Sequence, residues 1–78
     1  MAEVLVPKWG SSMTEATVVR WHKSVGDPVE AGEPLVDLET DKVEATVEAP
    51  AAGVLAEVHG NEDDVLPVGG LLAVVEER

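Results

Sequence analysis

At 78 residues the chain has the length of one small domain, whose single core supplies only about 3–5 kcal/mol of net stability. Sixteen acidic residues against five basic ones give a formal net charge of −11, and no apolar run approaches the roughly 20 residues of a membrane span, so we expect neither nucleic acid nor a membrane as a partner. Cysteine is absent, which excludes disulfides and thiolate metal sites, and the hydrophobic fraction of 45% excludes a disordered chain.

Short apolar runs separated by turns that contain glycine and proline predict eight strands and no helix. Residues 35–39 and 43–48 alternate between apolar and polar side chains, which is typical of half-buried strands. In chain order, strands are predicted at residues 2–6, 14–21, a very short one around 29, 35–39, 43–48, 54–59, 65–68 and 71–76. Many short strands with frequent turns indicate an antiparallel sandwich or barrel.

The connection between the first two predicted strands is a loop rich in small and polar residues. It consists of Lys8, Trp9, Gly10, Ser11, Ser12 and Met13. A tryptophan in such a loop either covers the core or forms an exposed contact, and we expect Trp9 to cover the core. Trp21 falls within a predicted strand and is interpreted as a core residue.

An internal repeat appears when the chain is shifted by 37 residues, so that residues 16–39 overlie residues 53–76 without a gap. The shift pairs His22 with His59, Asp27 with Asp64, Gly32 with Gly69 and Glu39 with Glu76. We therefore expect two similar halves that face each other and cover each other's apolar surface. The connection between the fourth and fifth strands then lies at the opposite end of the domain from both termini. The equivalence of the two histidines favours a structural role over metal binding or acid–base chemistry.

Lys42 lies in a tight turn, residues 40–43, between the fourth and fifth predicted strands. An exposed lysine amine is protonated at neutral pH, so we do not expect it to act as a catalytic nucleophile by itself. Two roles remain open. The lysine either pairs loosely with Glu39, Asp41 and Glu44 and discourages edge pairing, or it is presented for acylation by another enzyme. Chemistry alone favours the structural role.

Six short segments favour the second role, presentation of Lys42 for acylation. They are Val6-Pro7-Lys8-Trp9-Gly10, Met13-Thr14-Glu15, Val25-Gly26-Asp27, Gly32-Glu33-Pro34-Leu35, Glu39-Thr40-Asp41-Lys42-Val43 and Pro50-Ala51-Ala52-Gly53. This set, at these spacings, resembles the lipoyl domains of 2-oxo acid dehydrogenase acyltransferase components, among them those of acetoin-type and branched-chain complexes. The resemblance covers essentially the whole chain.

The resemblance implies lipoic acid in amide linkage on Lys42, flanked by Asp41 and Val43. Related biotinyl domains usually have methionine at the two flanking positions, so these residues favour lipoate over biotin. The implied fold is all-β, a flattened barrel of two four-stranded antiparallel sheets with quasi-two-fold symmetry, in agreement with the repeat and the strand count. The residues implied in partner recognition are Glu39, Thr40 and Glu44 near the lysine, and Lys8, Trp9, Gly10, Ser11, Ser12 and Met13 in the loop.

The resemblance further implies a carrier domain with no catalytic and no metal-binding residue. After attachment by a lipoate ligase or lipoyl transferase, the lipoyl group carries acyl groups and reducing equivalents between a thiamine-dependent 2-oxo acid or acetoin dehydrogenase, an acyltransferase catalytic domain and dihydrolipoyl dehydrogenase. The alternatives are a biotinyl carrier domain and an unmodified acidic β-domain that binds other proteins. We expect residues 1–78 to be one monomeric domain, from the N-terminal part of a longer acyltransferase, in the bacterial cytoplasm or alternatively the mitochondrial matrix.

Two positions depart from the family pattern. Ala16 and Asp63 stand where family members commonly have glycine. The repeat mate of Asp63 is Gly26, and aspartate is among the few residues that adopt a positive φ at little cost. Neither change involves Lys42, so we expect local effects on the backbone only.

Overall fold

The computed structural model describes residues 1–77 and contains eight β-strands. They are β1 (Ala2–Leu5), β2 (Glu15–Trp21), β3 (Pro28–Val29), β4 (Pro34–Glu39), β5 (Glu44–Glu48), β6 (Gly53–Val58), β7 (Val65–Pro67) and β8 (Leu71–Glu77). The predicted strand ends agree with these bounds to within one residue. The described part of the chain contains no helix, and therefore none long and apolar enough to cross a membrane.

The strands form two antiparallel sheets, with the order β1-β8-β6-β3 in sheet A and β5-β4-β2-β7 in sheet B. This arrangement confirms the predicted fold class of two four-stranded sheets. Each sheet contains two strands from β1–β4 and two from β5–β8, so the halves are interleaved. The paired strands β2 and β4 nevertheless lie in sheet B and their repeat mates β6 and β8 lie in sheet A, so the two repeats face each other as predicted. The halves are interleaved because the turn after β2 carries the chain across to the other sheet, where β3 pairs with β6.

The 37-residue repeat is visible in the backbone of both sheets. The register of β2 shifts directly after Val18, and that of β6 shifts directly after its repeat mate Leu55. Equivalent hydrogen bonds join the halves, because the Gly26 N–H donates to the Leu55 carbonyl (2.8 Å) and the Asp63 N–H donates to the Val18 carbonyl (2.7 Å). The two halves therefore follow the same path through opposite sheets.

The core between the sheets consists of leucine and valine side chains. The largest fully buried residues are Val18, Val29, Leu35, Val36, Leu38, Leu55, Leu72 and Val75. Repeat mates are buried alike, as for Leu35 with Leu72 and Leu38 with Val75. Burial of one such side chain stabilises the fold by roughly 1.5–3 kcal/mol. Within residues 1–77 no polar or charged residue is buried, so the core is held by apolar packing.

The two tryptophans occupy different environments. Trp21 packs against the core, as predicted, and its indole Nε1–H donates to the Gly60 carbonyl (2.9 Å), which ties sheet B to the segment after β6. Trp9 is 38% exposed and does not pack against the core, so the prediction that it covers the core was wrong. Met13, from the same loop, packs there instead.

Both departures from glycine are accommodated by the backbone. Gly26 and Asp63 occupy equivalent turns with φ angles of 97° and 74°, so aspartate here takes the left-handed conformation that favours glycine. Ala16 is buried at the start of β2. Its repeat mate Gly53 has no such space, because an added Cβ would overlap the backbone carbonyl of Glu76 on β8. The repeat therefore breaks at this pair of positions.

The strand registers place residues 40–43 far from the chain ends. Ala2 pairs with Val75 where β1 begins, and β1 then runs to Leu5 and leads into residues 8–13. Early in β2, Thr17 pairs with Glu39, the last residue of β4. The β4–β5 connection thus lies at the end of the barrel where β1 finishes, as the repeat predicted.

Candidate functional site

The lysine turn, defined here as residues 40–43, is closed by three contacts between its first and last residues. The Thr40 N–H donates to the Val43 carbonyl oxygen (2.7 Å). The Thr40 Oγ1 accepts a hydrogen bond from the Val43 N–H (3.2 Å), and its own proton is directed at the Val43 carbonyl (3.3 Å). The threonine side chain thereby closes a tight turn that contains no glycine.

Lys42 is exposed in this turn. Among residues 1–77, no carboxylate oxygen lies within 4.0 Å of its Nζ, so the loose ion pairs with Glu39, Asp41 and Glu44 are not formed. Lys23 provides a contrast, because its Nζ lies 3.0 Å from Glu33 Oε2. The Lys42 amine is therefore accessible to another molecule.

The loop of residues 8–13 and the lysine turn form two walls of one groove. The loop is shaped by hydrogen bonds from the Met13 N–H to the Gly10 carbonyl (3.1 Å) and from the Trp9 N–H to the Met13 Sδ (3.3 Å). The groove is lined by Trp9, Gly10, Ser11, Ser12, Met13, Thr14, Glu15, Thr17, Glu39, Thr40, Asp41, Lys42, Val43 and Glu44. All the predicted site residues are among them except Lys8, which is exposed beside Trp9 but does not line the groove.

Sequence reasoning missed three residues of this groove, Thr14, Glu15 and Thr17. Glu15 and Thr17 belong to the start of β2 and Thr14 directly precedes it, and this strand reaches the groove because it pairs with the end of β4. These residues could have been assigned to the groove only if the pairing of β2 with β4 had been known. Strand positions alone do not indicate which strand begins beside a given turn.

A second polar cluster lies on the exposed side of sheet B, away from the lysine turn. Asp37 on β4 accepts a hydrogen bond from the Thr46 Oγ1 (2.7 Å), and its carboxylate contacts His22 Nε2 (2.9 Å) and, more distantly, Arg20 Nε (3.9 Å). The hydrogen bonds from His22 and Thr46 lower the pKa of Asp37 below its ordinary value of 3.8. The cluster joins β2, β4 and β5, which are the strands that support the groove.

We expect this cluster to make the domain less stable in acid. Because the folded-state pKa of Asp37 lies below its unfolded-state value, its stabilisation is complete above the unfolded value and is lost as the pH falls through the folded value. Asp37→Asn should lower the free energy of unfolding at pH 7 by about 1 kcal/mol and flatten its decline below pH ~4. Urea unfolding from pH 7 to pH 2.5 measures both effects. Asp41→Asn, in the exposed lysine turn, is the matched control and should retain the steeper decline.

The second histidine has a similar but more exposed environment. His59 Nε2 lies 2.9 Å from Glu57 Oε1. Across the described residues there is no cluster of three or more histidine, cysteine, aspartate or glutamate side chains that could hold a metal ion. Each histidine therefore has a carboxylate on its own sheet as its partner, and neither lines the groove.

Comparisons with known proteins give a consistent result. The family model Biotin_lipoyl, described as "Biotin-requiring enzyme", matches residues 2–75. The chain is 40% identical to the lipoyl domain of the 2-oxoglutarate dehydrogenase complex from Azotobacter vinelandii, whose solution structure superposes with a TM-score of 0.82 and covers 99% of this chain and 98% of that one.

Several longer proteins also contain a similar segment. The chain is 51% identical over 70 residues to the acetyltransferase component of the pyruvate dehydrogenase complex of Mycobacterium tuberculosis, covering 90% of the chain and 13% of the relative. It is 51% identical over 72 residues to the acetyltransferase component of the acetoin cleaving system of Pseudomonas putida, covering 92% and 20%. It is also 51% identical over 77 residues to the succinyltransferase component of the 2-oxoglutarate dehydrogenase complex of Staphylococcus saprophyticus, covering 99% and 18%. The chain thus spans only about a fifth or less of these relatives.

Proposed function

The chain belongs to the biotin/lipoyl attachment family and is a lipoyl domain, a non-catalytic carrier, and on this premise we propose that Lys42 holds lipoate in amide linkage through its Nζ. The observation that carries the proposal is the lysine turn, in which an exposed amine with no carboxylate partner among residues 1–77 stands on a turn closed by Thr40. The other two lysines lack this setting, because Lys8 lies outside the groove and Lys23 is bound to Glu33.

Lipoate is favoured over biotin by the relatives. The family description names biotin, whereas the related acyltransferases are named for a dihydrolipoyllysine residue and the solved structure is a lipoyl domain. The flanking residues Asp41 and Val43 agree, since neither is methionine. When bound, the lipoyl group supplies a dithiolane that takes up and hands on acyl groups and electrons.

The chain contributes presentation of the amine rather than its activation. Attachment requires the Nζ to lose a proton and attack the activated carboxyl carbon of lipoate; the amide bond forms and the activating group leaves. No carboxylate in the described chain is close enough to Nζ to accept that proton directly, so the attaching enzyme supplies the base. The strands β4 and β5 and the Thr40 contacts hold the backbone of the turn from which Lys42 extends.

The direct test is enzymatic loading of the chain. Incubation with lipoate ligase, lipoate and ATP should add the mass of one lipoyl group, and peptide mapping should place it on Lys42. A parallel reaction with biotin ligase and biotin should add nothing. An unchanged mass with lipoate, or a label on Lys8 or Lys23, would overturn the proposal, and labelling with biotin instead would support the biotinyl alternative.

Thr40 is expected to control how efficiently Lys42 is loaded. Thr40→Val keeps the shape of the side chain but removes the oxygen that accepts from the Val43 N–H, which loosens the turn. One such hydrogen bond is worth about 0.5–1.5 kcal/mol, so kcat/KM of the ligase for the domain should fall about three- to tenfold. Thr40→Ser retains the oxygen and should load at a rate close to that of the parent. Equal rates for all three proteins would show that the hydroxyl does not position Lys42.

The surroundings of Lys42 indicate the kind of partner that the groove recognises. Glu15, Glu39, Asp41 and Glu44 are all exposed around one lysine, and attachment of lipoate removes that positive charge. We infer that the attaching enzyme and a thiamine-dependent decarboxylase bring basic surfaces to this groove and contact the loop of residues 8–13. An acyltransferase core and dihydrolipoyl dehydrogenase complete the proposed cycle, in the bacterial cytoplasm.

A further inference from the structure

The groove contains apolar surface that neither the core nor the lysine turn requires. Trp9 extends from the loop and is 38% exposed, and Val43 extends from the turn and is 45% exposed. Met13 lies at the base of the loop, where it is partly buried against the core and its Sδ accepts from the Trp9 N–H. These three residues and Lys42 line the same groove, while the remaining charged residues of its lining are acidic. The exposed indole and the valine side chain beside Lys42 therefore provide apolar surface that a group attached to the lysine can contact.

We propose that Trp9, Met13 and Val43 form an internal binding site for the dithiolane ring of the lipoyl group on Lys42, so that the ring rests against the domain between visits to partner enzymes. The inference rests on the proposed attachment to Lys42. The contact is reversible and leaves the amide and the ring unchanged. It withdraws the ring from solvent and from reagents other than the partner enzymes.

The chemistry of the two surfaces is matched. A dithiolane on an aliphatic chain is apolar and rich in sulfur, and sulfur forms favourable contacts with aromatic rings. The carboxylates of Glu15, Glu39 and Glu44 also line the groove, but they stay hydrated and offer the dithiolane ring no comparable contact. Because the attachment point itself lines the groove, docking occurs within one molecule and does not depend on protein concentration.

Nuclear magnetic resonance on the fully lipoylated chain tests the contact directly and needs no variant. Nuclear Overhauser effects are expected between dithiolane protons and the Trp9 indole, together with shifts of the Trp9 indole N–H on loading. Shifts confined to the lysine turn and an absence of such effects would overturn the docking site. Failure of Lys42 to load would instead contradict the proposed function, so the two failures are distinguishable.

Reactivity of the ring supplies an independent measure. A water-soluble phosphine opens the S–S bond, giving the dithiol and, with oxygen from water, the phosphine oxide. Removal of the indole in Trp9→Ala should speed this reaction about two- to tenfold, as expected for the loss of one sulfur–aromatic contact. Val65→Ala removes an exposed valine outside the groove and should react like the parent. Equal rates for the parent and Trp9→Ala, with both variants folded by thermal unfolding, would show that the ring does not dock.

Discussion

Lys42→Arg is expected to abolish lipoylation completely while leaving the fold intact. Arginine preserves the positive charge and much of the length of the side chain, but its guanidinium remains protonated and does not act as an acyl acceptor. Because Lys42 makes no ion pair among residues 1–77, its replacement should change the free energy of unfolding by less than about 0.5 kcal/mol. Intact mass after ligase treatment and thermal unfolding measure the two effects.

The remaining lysines provide matched controls for that experiment. Lys8→Arg removes an amine next to the groove, and Lys23→Arg removes the amine bound to Glu33. Both variants should still gain one lipoyl group. Incorporation into Lys42→Arg, or its loss from either control, would mean that the ligase reads a feature of the domain other than the lysine turn.

The second large effect is expected at Gly53. A Cβ at this position would overlap the Glu76 carbonyl and would also lie 2.8 Å from the Glu76 carbonyl carbon, so β6 and β8 would have to separate. Overpacking against backbone, which has no rotamer to relieve it, should cost about 3 kcal/mol or more in Gly53→Ala. In a domain of this size the melting temperature should fall by roughly 15 °C or more. Thermal and urea unfolding provide the measurement.

Two other glycines separate the possible causes of that loss. A Cβ added at Gly10 would meet no heavy atom within 4 Å, and this residue has no positive φ, so Gly10→Ala should change stability little. Gly26 has equal space but a φ of 97°, so Gly26→Ala should lose about 1 kcal/mol through backbone strain alone. A Gly53→Ala variant no less stable than Gly26→Ala would show that the sheet adjusts at this point.

The strands, the repeat and the lysine turn could be predicted from the sequence because each has a local or periodic signal. Alternation located the strands to within one residue, and the 37-residue shift identified residues that are buried alike, such as Leu35 and Leu72. The groove residues Thr14, Glu15 and Thr17 were not found, because they depend on which strands become neighbours. The position of Trp9 was also missed, because a loop sequence does not indicate which of its apolar side chains turns inward.

The repeat itself was misleading at one pair of positions. It equates Ala16 with Gly53, and by sequence alone the two are interchangeable. Ala16 is accommodated on β2, whereas Gly53 lies against the backbone of β8. Internal symmetry of a sequence therefore predicts the path of the chain better than the space around each residue.

The interleaving of the strands makes the fold of the first half of the chain depend on its last strand. β8 lies between β1 and β6, and it supplies the buried residues Leu72 and Val75. Sheet A and the core therefore remain incomplete until the last strand, Leu71–Glu77, has left the ribosome. Lys42 is translated earlier, and the strands of sheet B that carry its turn pack against a core that β8 completes. We therefore expect a chain truncated before β8 to lack the folded groove that presents Lys42.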